Sequence, residues 1–359
     1  MPDKLKNYYN KHPLRIILIA GLIVRIAAAV FSQGYGFHDD HFLVIESAES
    51  WAQGYEWNNW MPQVQTKLYP DKEPVPQGHS LLYPGINFVL FKTLHAIGIN
   101  NPKVMMLINR LLLALFSMLT ILFGYKIMKH YTNELRANWV GWILALIYLL
   151  PMLSVRNLVE VIACPLLLWG TWIVVRSEIK ADWKLFAAAG LIMGLAFSIR
   201  FQTIIVAGTM GVVMLCQRNW RNAIIYGASF FVAAIIVQGG IDMIVWHKPF
   251  MEFAEYVNYN MHNAGNFGHN HYYMYFTLLI GMILPPLGLF LFWGWLWSAR
   301  KYPMLFWPSF MFFAFHTYFI NKQERFILPI VPLFIVAGAI GWFNYMDKSK
   351  FWLAHRKLF

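Results

Sequence analysis

Apolar runs of membrane-spanning length recur along this chain, and that recurrence constrains the fold more than any single motif. They can be read at residues 14–31, 104–128, 137–154, 160–175, 185–199, 202–216, 222–245, 273–298, 303–320 and 326–345, most of them near the roughly 20 residues a helix needs to cross a bilayer. With 58% hydrophobic and only 13% charged residues in 359, the chain has too little polar surface to cover a soluble globule of that size. The expected fold class is an all-α polytopic membrane protein with about ten membrane-spanning helices, within a range of nine to twelve, built as one domain over residues 1–359. The N-terminus has the basic flank and apolar centre of a signal peptide. Arg25 interrupts that centre and no clean cleavage site follows, so it reads as an uncleaved first span. Cys164 and Cys216 lie in apolar runs, match no metal or disulfide spacing, and read as packing residues.

Charge placement sets the expected topology. The segment 81–99 is apolar but carries Pro84, Gly85, Lys92, His95 and Gly98. If it does not cross, Lys4 to Lys11, Lys126, Lys129, Arg136, Arg176 to Lys184, Arg218, Arg221, Arg300, Lys301 and Lys348 to Lys357 all fall on the N-terminal side. The positive-inside rule makes that side the cytoplasm. The formal charge of +12 is then a topology signal, and no nucleic-acid partner is expected. The segment 81–99 belongs to a long first external loop, 32–103, with a second larger one at 246–272. Asp39, Asp40, Glu46, Glu49, Glu56, Asp71, Glu73, Glu160, Asp242, Glu252, Glu255 and Glu324 fall on or near the outer face, so chemistry is expected there.

Three groups could carry it. A helix starting at Asp40 would place Glu46, Glu49, Ser50 and Gln53 on one side and Val44, Ile45, Ala48, Trp51 and Ala52 on the other, as in an interfacial amphipathic helix. Asp39 and Asp40 at its start either cap it or hold a carboxylate at the membrane surface to take a proton from an acceptor hydroxyl. Arg156 and Glu160, Arg200 and Gln202, and Lys322, Glu324 and Arg325 mark three outer span junctions. Singly they could be snorkelling or structural ion pairs; together the cations suit an anionic group, for which a lipid-borne phosphate is the natural candidate. The loop "HNAGNFGHNHYYMYF" carries His262, His269 and His271. Histidines at i and i+2 without a clear carboxylate fall short of a metal site, and hydrogen bonding to sugar or phosphate suits them better.

In this order the pieces resemble the polyprenyl-phosphate-dependent glycosyltransferases of the GT-C superfamily, most closely glycosyltransferase family 22. "HDDHFLVIE" stands beside the family's "PDE" step and following Glu, and "NKQERFILPIVP" beside "HKEERFLYPIYP". "RNLVE" stands beside "RTxSNxxE", and Asp242 with "FGHNHYYMYF" beside "YGTHPWHWYF". Asn321 replaces the family's His, Gln323 a frequent Glu, and Asp40 its Glu. The resemblance implies an inverting, metal-independent enzyme without cofactor. It would move a hexose, in this family mannose, from a polyprenyl-phosphate donor to a hydroxyl of a lipid-linked glycan or glycolipid among membrane lipids. It makes Asp39 the general base, with Asp40 as alternate, and assigns donor phosphate to Lys322, Arg325 and Arg200, with Glu324 positioning Arg325. Glu46, Arg156, Glu160, Gln202, His269 and His271 become supporting or sugar-binding residues. Protein O-mannosyltransferases and aminoarabinose transferases share the architecture, and a lipid or sugar transporter is the alternative from another class. The expected location is a bacterial inner membrane with the site facing the periplasm, or the endoplasmic reticulum if the source is eukaryotic.

Overall fold

The computed structural model describes residues 9–34, 38, 40–180, 182–266 and 270–354, with only the main chain of Asp40, residues 178–180 and Ala264. The described residues form helices joined by loops. The first run is α1 (Pro13–Phe31). A π-helical turn, Asp40–Glu46, then leads into α2 (Ser47–Ala52). There Val44, Ile45 and Ala48 are buried, Gln53 is exposed, and Ser50 departs from the expected polar side by turning inward to Ser47 O. The first loop continues through α3 (Pro62–Leu68) and α4 (Leu82–Ala96), which packs on α2 and is tied to it by His95 Nε2, 2.8 Å from Glu49 Oε1.

Next come α5 (Pro102–Tyr131), α6 (Glu134–Leu146), α7 (Leu149–Leu153), α8 (Val159–Lys180), α9 (Trp183–Ile199), α10 (Ile204–Cys216) and α11 (Trp220–Ala234). The chain then runs through a π turn into α12 (Gly240–Trp246), then α13 (Met251–Asn263), α14 (Met274–Gly281), α15 (Pro285–Ser298), α16 (Pro303–Tyr318), α17 (Val331–Met346) and α18 (Lys350–Ala354). Each of the ten expected runs holds a helix. Among the described residues, five helices are long and apolar enough to cross a membrane alone: Pro13–Phe31, Pro102–Tyr131, Val159–Ser177, Trp220–Trp246 and Glu324–Met346. A bent pair, Met274–Gly281 with Pro285–Ser298, makes a sixth; α6, α9, α10 and α16 are shorter.

Two expected spans are broken, each at a proline. The run 273–298 bends by 118° between α14 and α15. Pro285 and Pro286 open α15 without N–H donors, and Leu284 before them takes φ +70. The run 137–154 stops after Leu146, since Pro151 would press on the carbonyl of Ile147 four residues back in a continuous helix. The carbonyls of Leu144 and Ala145 are taken by the buried Arg25 guanidinium at 3.1 and 3.0 Å, and Arg25 Nε donates to Ser117 Oγ at 3.0 Å. Arg25 in the first span is therefore a helix-end clamp, satisfied within the bundle as a buried cation must be.

The core lies between α5, α8, α9 and α17, and α17 is buried continuously from Val331 to Gly341. Small residues permit that closeness: Gly294 of α15 lies against Gly338 and Gly341 of α17, where a Cβ would overlap backbone atoms. Cys164 is buried as expected of a packing residue; Cys216, at the end of α10, is exposed instead.

Candidate active site

At one end of the bundle six separate stretches line a cavity of about 360 Å³. Its wall is contributed by residues 77–80 of the first loop, 157–160 at the start of α8, 199–202 at the corner between α9 and α10, Tyr256, Tyr259 and Asn260 of α13, and Asn321, Gln323, Arg325 and Phe326 before α17. Leu43 and Val44 of the π-helical turn complete it.

The local backbone explains the charged residues. Glu160 stands in the first turn of α8, where free N–H groups and the helix dipole favour an anion. Arg200 ends α9 with an extended backbone, φ −139 and ψ 107, before the 3₁₀ turn Phe201–Thr203. Its Nη2 lies 3.1 Å from Glu160 Oε1, and Arg325 Nε lies 3.9 Å from the same oxygen. Glu160 is fully buried, and among the described residues neither carboxylate oxygen receives a hydrogen bond of full geometry beyond these ion pairs. Arg325 Nε also donates to Gln323 Oε1 at 2.8 Å. Both guanidinium groups lie by the Phe326 ring, at 5.3 and 5.5 Å from its centroid. Gln202 adds a buried side-chain oxygen without a hydrogen-bond partner among the described residues. Two arginines thus share one buried carboxylate at a cavity wall, an arrangement able to accept an anionic ligand with charge-assisted hydrogen bonds.

The late motif does not act as one cluster. Gln323 is extended, φ −126 and ψ 148, before the 3₁₀ turn Glu324–Ile330, and of residues 321–326 it is Asn321, Gln323, Arg325 and Phe326 that line the cavity. Lys322 falls on the other side: it is buried, its Nζ donates to Phe319 O at 2.6 Å, and burial lowers its pKa. Glu324 is exposed, and Gln323 and Glu160 hold Arg325 in its place. Arg156 also lies off the cavity; its Nη1 donates to Gly34 O at 2.8 Å and, with Arg110 on Ser32 O and Gly34 O, clamps the chain leaving α1. Glu46 sits 2.9 Å from His41 Nε2, and the His271 ring stacks on Tyr273 with centroids 5.0 Å apart. Asp39 and His269 lie outside the described residues. Asp40 opens the π-helical turn whose Leu43 and Val44 reach the cavity.

Sequence reasoning missed the wall built by residues 77–80 and α13. The oxygen Oε2 of the buried Glu252 accepts backbone N–H groups from Gln77, Gly78 and His79 at 3.0, 2.8 and 3.2 Å. The one signal available was the run of Pro74, Pro76 and Gly78, which denies that stretch a regular backbone ladder.

This helical framework is that of the GT-C membrane transferases. ArnT from Cupriavidus metallidurans, in a structure bound to undecaprenyl phosphate, matches with a TM-score of 0.66 and 16% identity, covering 94% of this chain and 61% of that one. The archaeal oligosaccharyltransferase AglB from Archaeoglobus fulgidus, in complex with an inhibitory peptide and a dolichol-phosphate, matches with a TM-score of 0.57 and 11% identity, covering 98% of this chain and 52% of that one. Both likenesses concern the fold, and with the apolar helices they make the chain an integral membrane protein. Residues 16–359 match the model of the Alg9-like mannosyltransferase family, and the chain belongs to that family. GPI mannosyltransferase 3 of Yarrowia lipolytica is 22% identical over 357 residues, 96% of this chain and 66% of its own length.

Proposed function

We propose that this chain is an inverting mannosyltransferase. It would take mannose from a polyprenyl-phosphate donor and pass it to a hydroxyl of a lipid-linked glycan or glycolipid at the outer face of the membrane. The observation that carries the reading is the pair Arg200 and Arg325 on one cavity wall, sharing the buried carboxylate of Glu160. Family membership supplies the sugar, and the ends of apolar helices supply a place where a phosphate can sit while its isoprenoid tail stays in lipid.

In the reaction Asp39, with Asp40 as alternate, takes the proton of the acceptor hydroxyl. The freed oxygen pair forms a bond to the anomeric carbon from the face opposite the phosphate, and the carbon–oxygen bond to phosphate breaks. Arg200 and Arg325 stabilise the charge that grows on the departing phosphate, an electrostatic contribution that is large where water is excluded. The test offers purified protein a polyprenyl-phosphate-mannose donor with membrane lipid extracts and identifies the product by mass spectrometry. A mannosylated lipid bearing the inverted anomer is the expected result. Transfer of a different sugar, or to protein alone, would replace the reading with another GT-C activity.

A further inference from the structure

The polar groups beneath residues 77–80 form a closed and buried chain. Ser80 Oγ lies 2.9 Å from Gln238 Oε1; Gln238 Nε2 donates to Asp242 Oδ1 at 3.0 Å; the Glu252 N–H donates to Asp242 Oδ2 at 3.0 Å. Glu252 in turn takes the indole N–H of Trp246 on Oε1 at 3.0 Å and the three loop amides on Oε2. Gln238 and Asp242 are fully buried and Glu252 is 1% exposed. Three successive N–H groups converging on one oxygen form an anion nest supplied by the protein itself. Gly78 presses the loop home: it takes φ +72, and a Cβ there would stand 3.1 Å from Tyr256 N and Cα of α13.

A carboxylate is an expensive group to bury, and packing alone could be served by an apolar side chain. What an anion adds is the power to orient several donors at once, and the donors here belong to residues of the cavity wall. We infer that Glu252 is a positioning residue for the transfer site. By gathering the amides of Gln77, Gly78 and His79 it fixes the loop against α13, and so sets where His79 and Ser80 stand in the cavity. The inference rests on the cavity being the site of transfer. Burial pushes the Glu252 carboxyl up to about 7, with the donated N–H groups pulling the other way. The titratable groups on the elements around it are Asp242, His79, Glu255, Tyr256 and the exposed His247 and Lys248.

The test uses purified full chain, E252Q and G78A, with polyprenyl-phosphate-mannose as donor. A merely structural role would lower the active fraction, and hence kcat, at constant KM. Positioning predicts a donor KM raised about tenfold in E252Q with kcat changed less than about threefold, as expected for lost hydrogen bonds to a charged group. Amide exchange at 77–79 is expected to be faster in E252Q than in wild type. G78A, which forces loop and helix apart while leaving the carboxylate, should raise KM in the same way. Unchanged KM in folded E252Q or G78A, or exchange at 77–79 in E252Q no faster than in wild type, overturns the inference. If wild type transfers nothing, the transferase reading falls, while the exchange measurement still decides whether Glu252 anchors the loop.

Discussion

Replacing Glu160 by Gln keeps the side chain's shape and removes its charge, which separates two roles for the carboxylate. Arg200 Nη2 is 3.1 Å from Glu160 Oε1, and the carboxylate is fully buried. At an effective dielectric of about 20, opposite unit charges about 3 Å apart attract by about 5 kcal/mol. Removing one partner of a buried pair costs about 3–5 kcal/mol. Because the Arg200 side chain keeps 14% exposure and can reach water, the lower end applies, about 3 kcal/mol. At about 2–4 °C per kcal/mol this is a fall in Tm of roughly 6–12 °C. Polyprenyl phosphate seated on Arg200 would return the missing negative charge. Its affinity for E160Q should therefore exceed that for wild type, by about tenfold if the phosphate recovers about 1.4 kcal/mol of the loss. The assay is thermal unfolding of both proteins across a titration of undecaprenyl phosphate. Weaker binding to E160Q than to wild type would refute the reasoning, since Glu160 would then hold Arg200 in shape for phosphate and not compete with it.

Other outcomes follow from the same geometry. Arg325→Ala should weaken polyprenyl-phosphate binding by about 1.5–3 kcal/mol, whereas Lys322→Ala, whose amine sits on the Phe319 carbonyl, should change it much less; titration of both variants by thermal shift checks the contrast. Asp39→Asn should preserve any helix cap but cut single-turnover transfer by about 10²- to 10⁴-fold with donor binding retained; near-normal transfer, with a severe loss in Asp40→Asn, moves the base one residue along. Cysteines placed at Gln33 and Gln65 should react with an impermeant reagent on intact cells and one at Lys301 should not; the reverse pattern would invert the proposed orientation.

The helices were legible because lipid permits so few backbone solutions: an apolar run of sufficient length has to close its own hydrogen bonds, whatever its neighbours do. The breaks were less legible, although Pro151 and Pro285 stood in plain view, because transmembrane helices tolerate proline when another group satisfies the freed carbonyls. Here Arg25 meets those of Leu144 and Ala145, from a helix more than a hundred residues away. The gathering of Glu160, Arg200 and Arg325 could be anticipated from topology alone, since their span junctions share one end of the bundle.

Which member of each junction enters the cavity is set at finer scale, by one or two backbone torsions. At Gln323 the chain passes from an extended residue into the 3₁₀ turn Glu324–Ile330, and that path brings Asn321, Gln323 and Arg325 to the cavity while Lys322 and Glu324 do not line it. Read as a helix mouth, the same five letters place both cations together. A similar limit hid Glu252 and Gly78, 174 positions apart: an irregular loop announces that its amides need acceptors, but only the folded chain says whose. The distinction bears on how substitutions at this site should be chosen. Charge and sequence proximity would nominate Lys322 and Glu324 for mutation, while the backbone directs attention to Gln323, Arg325 and, through three amides, the distant Glu252.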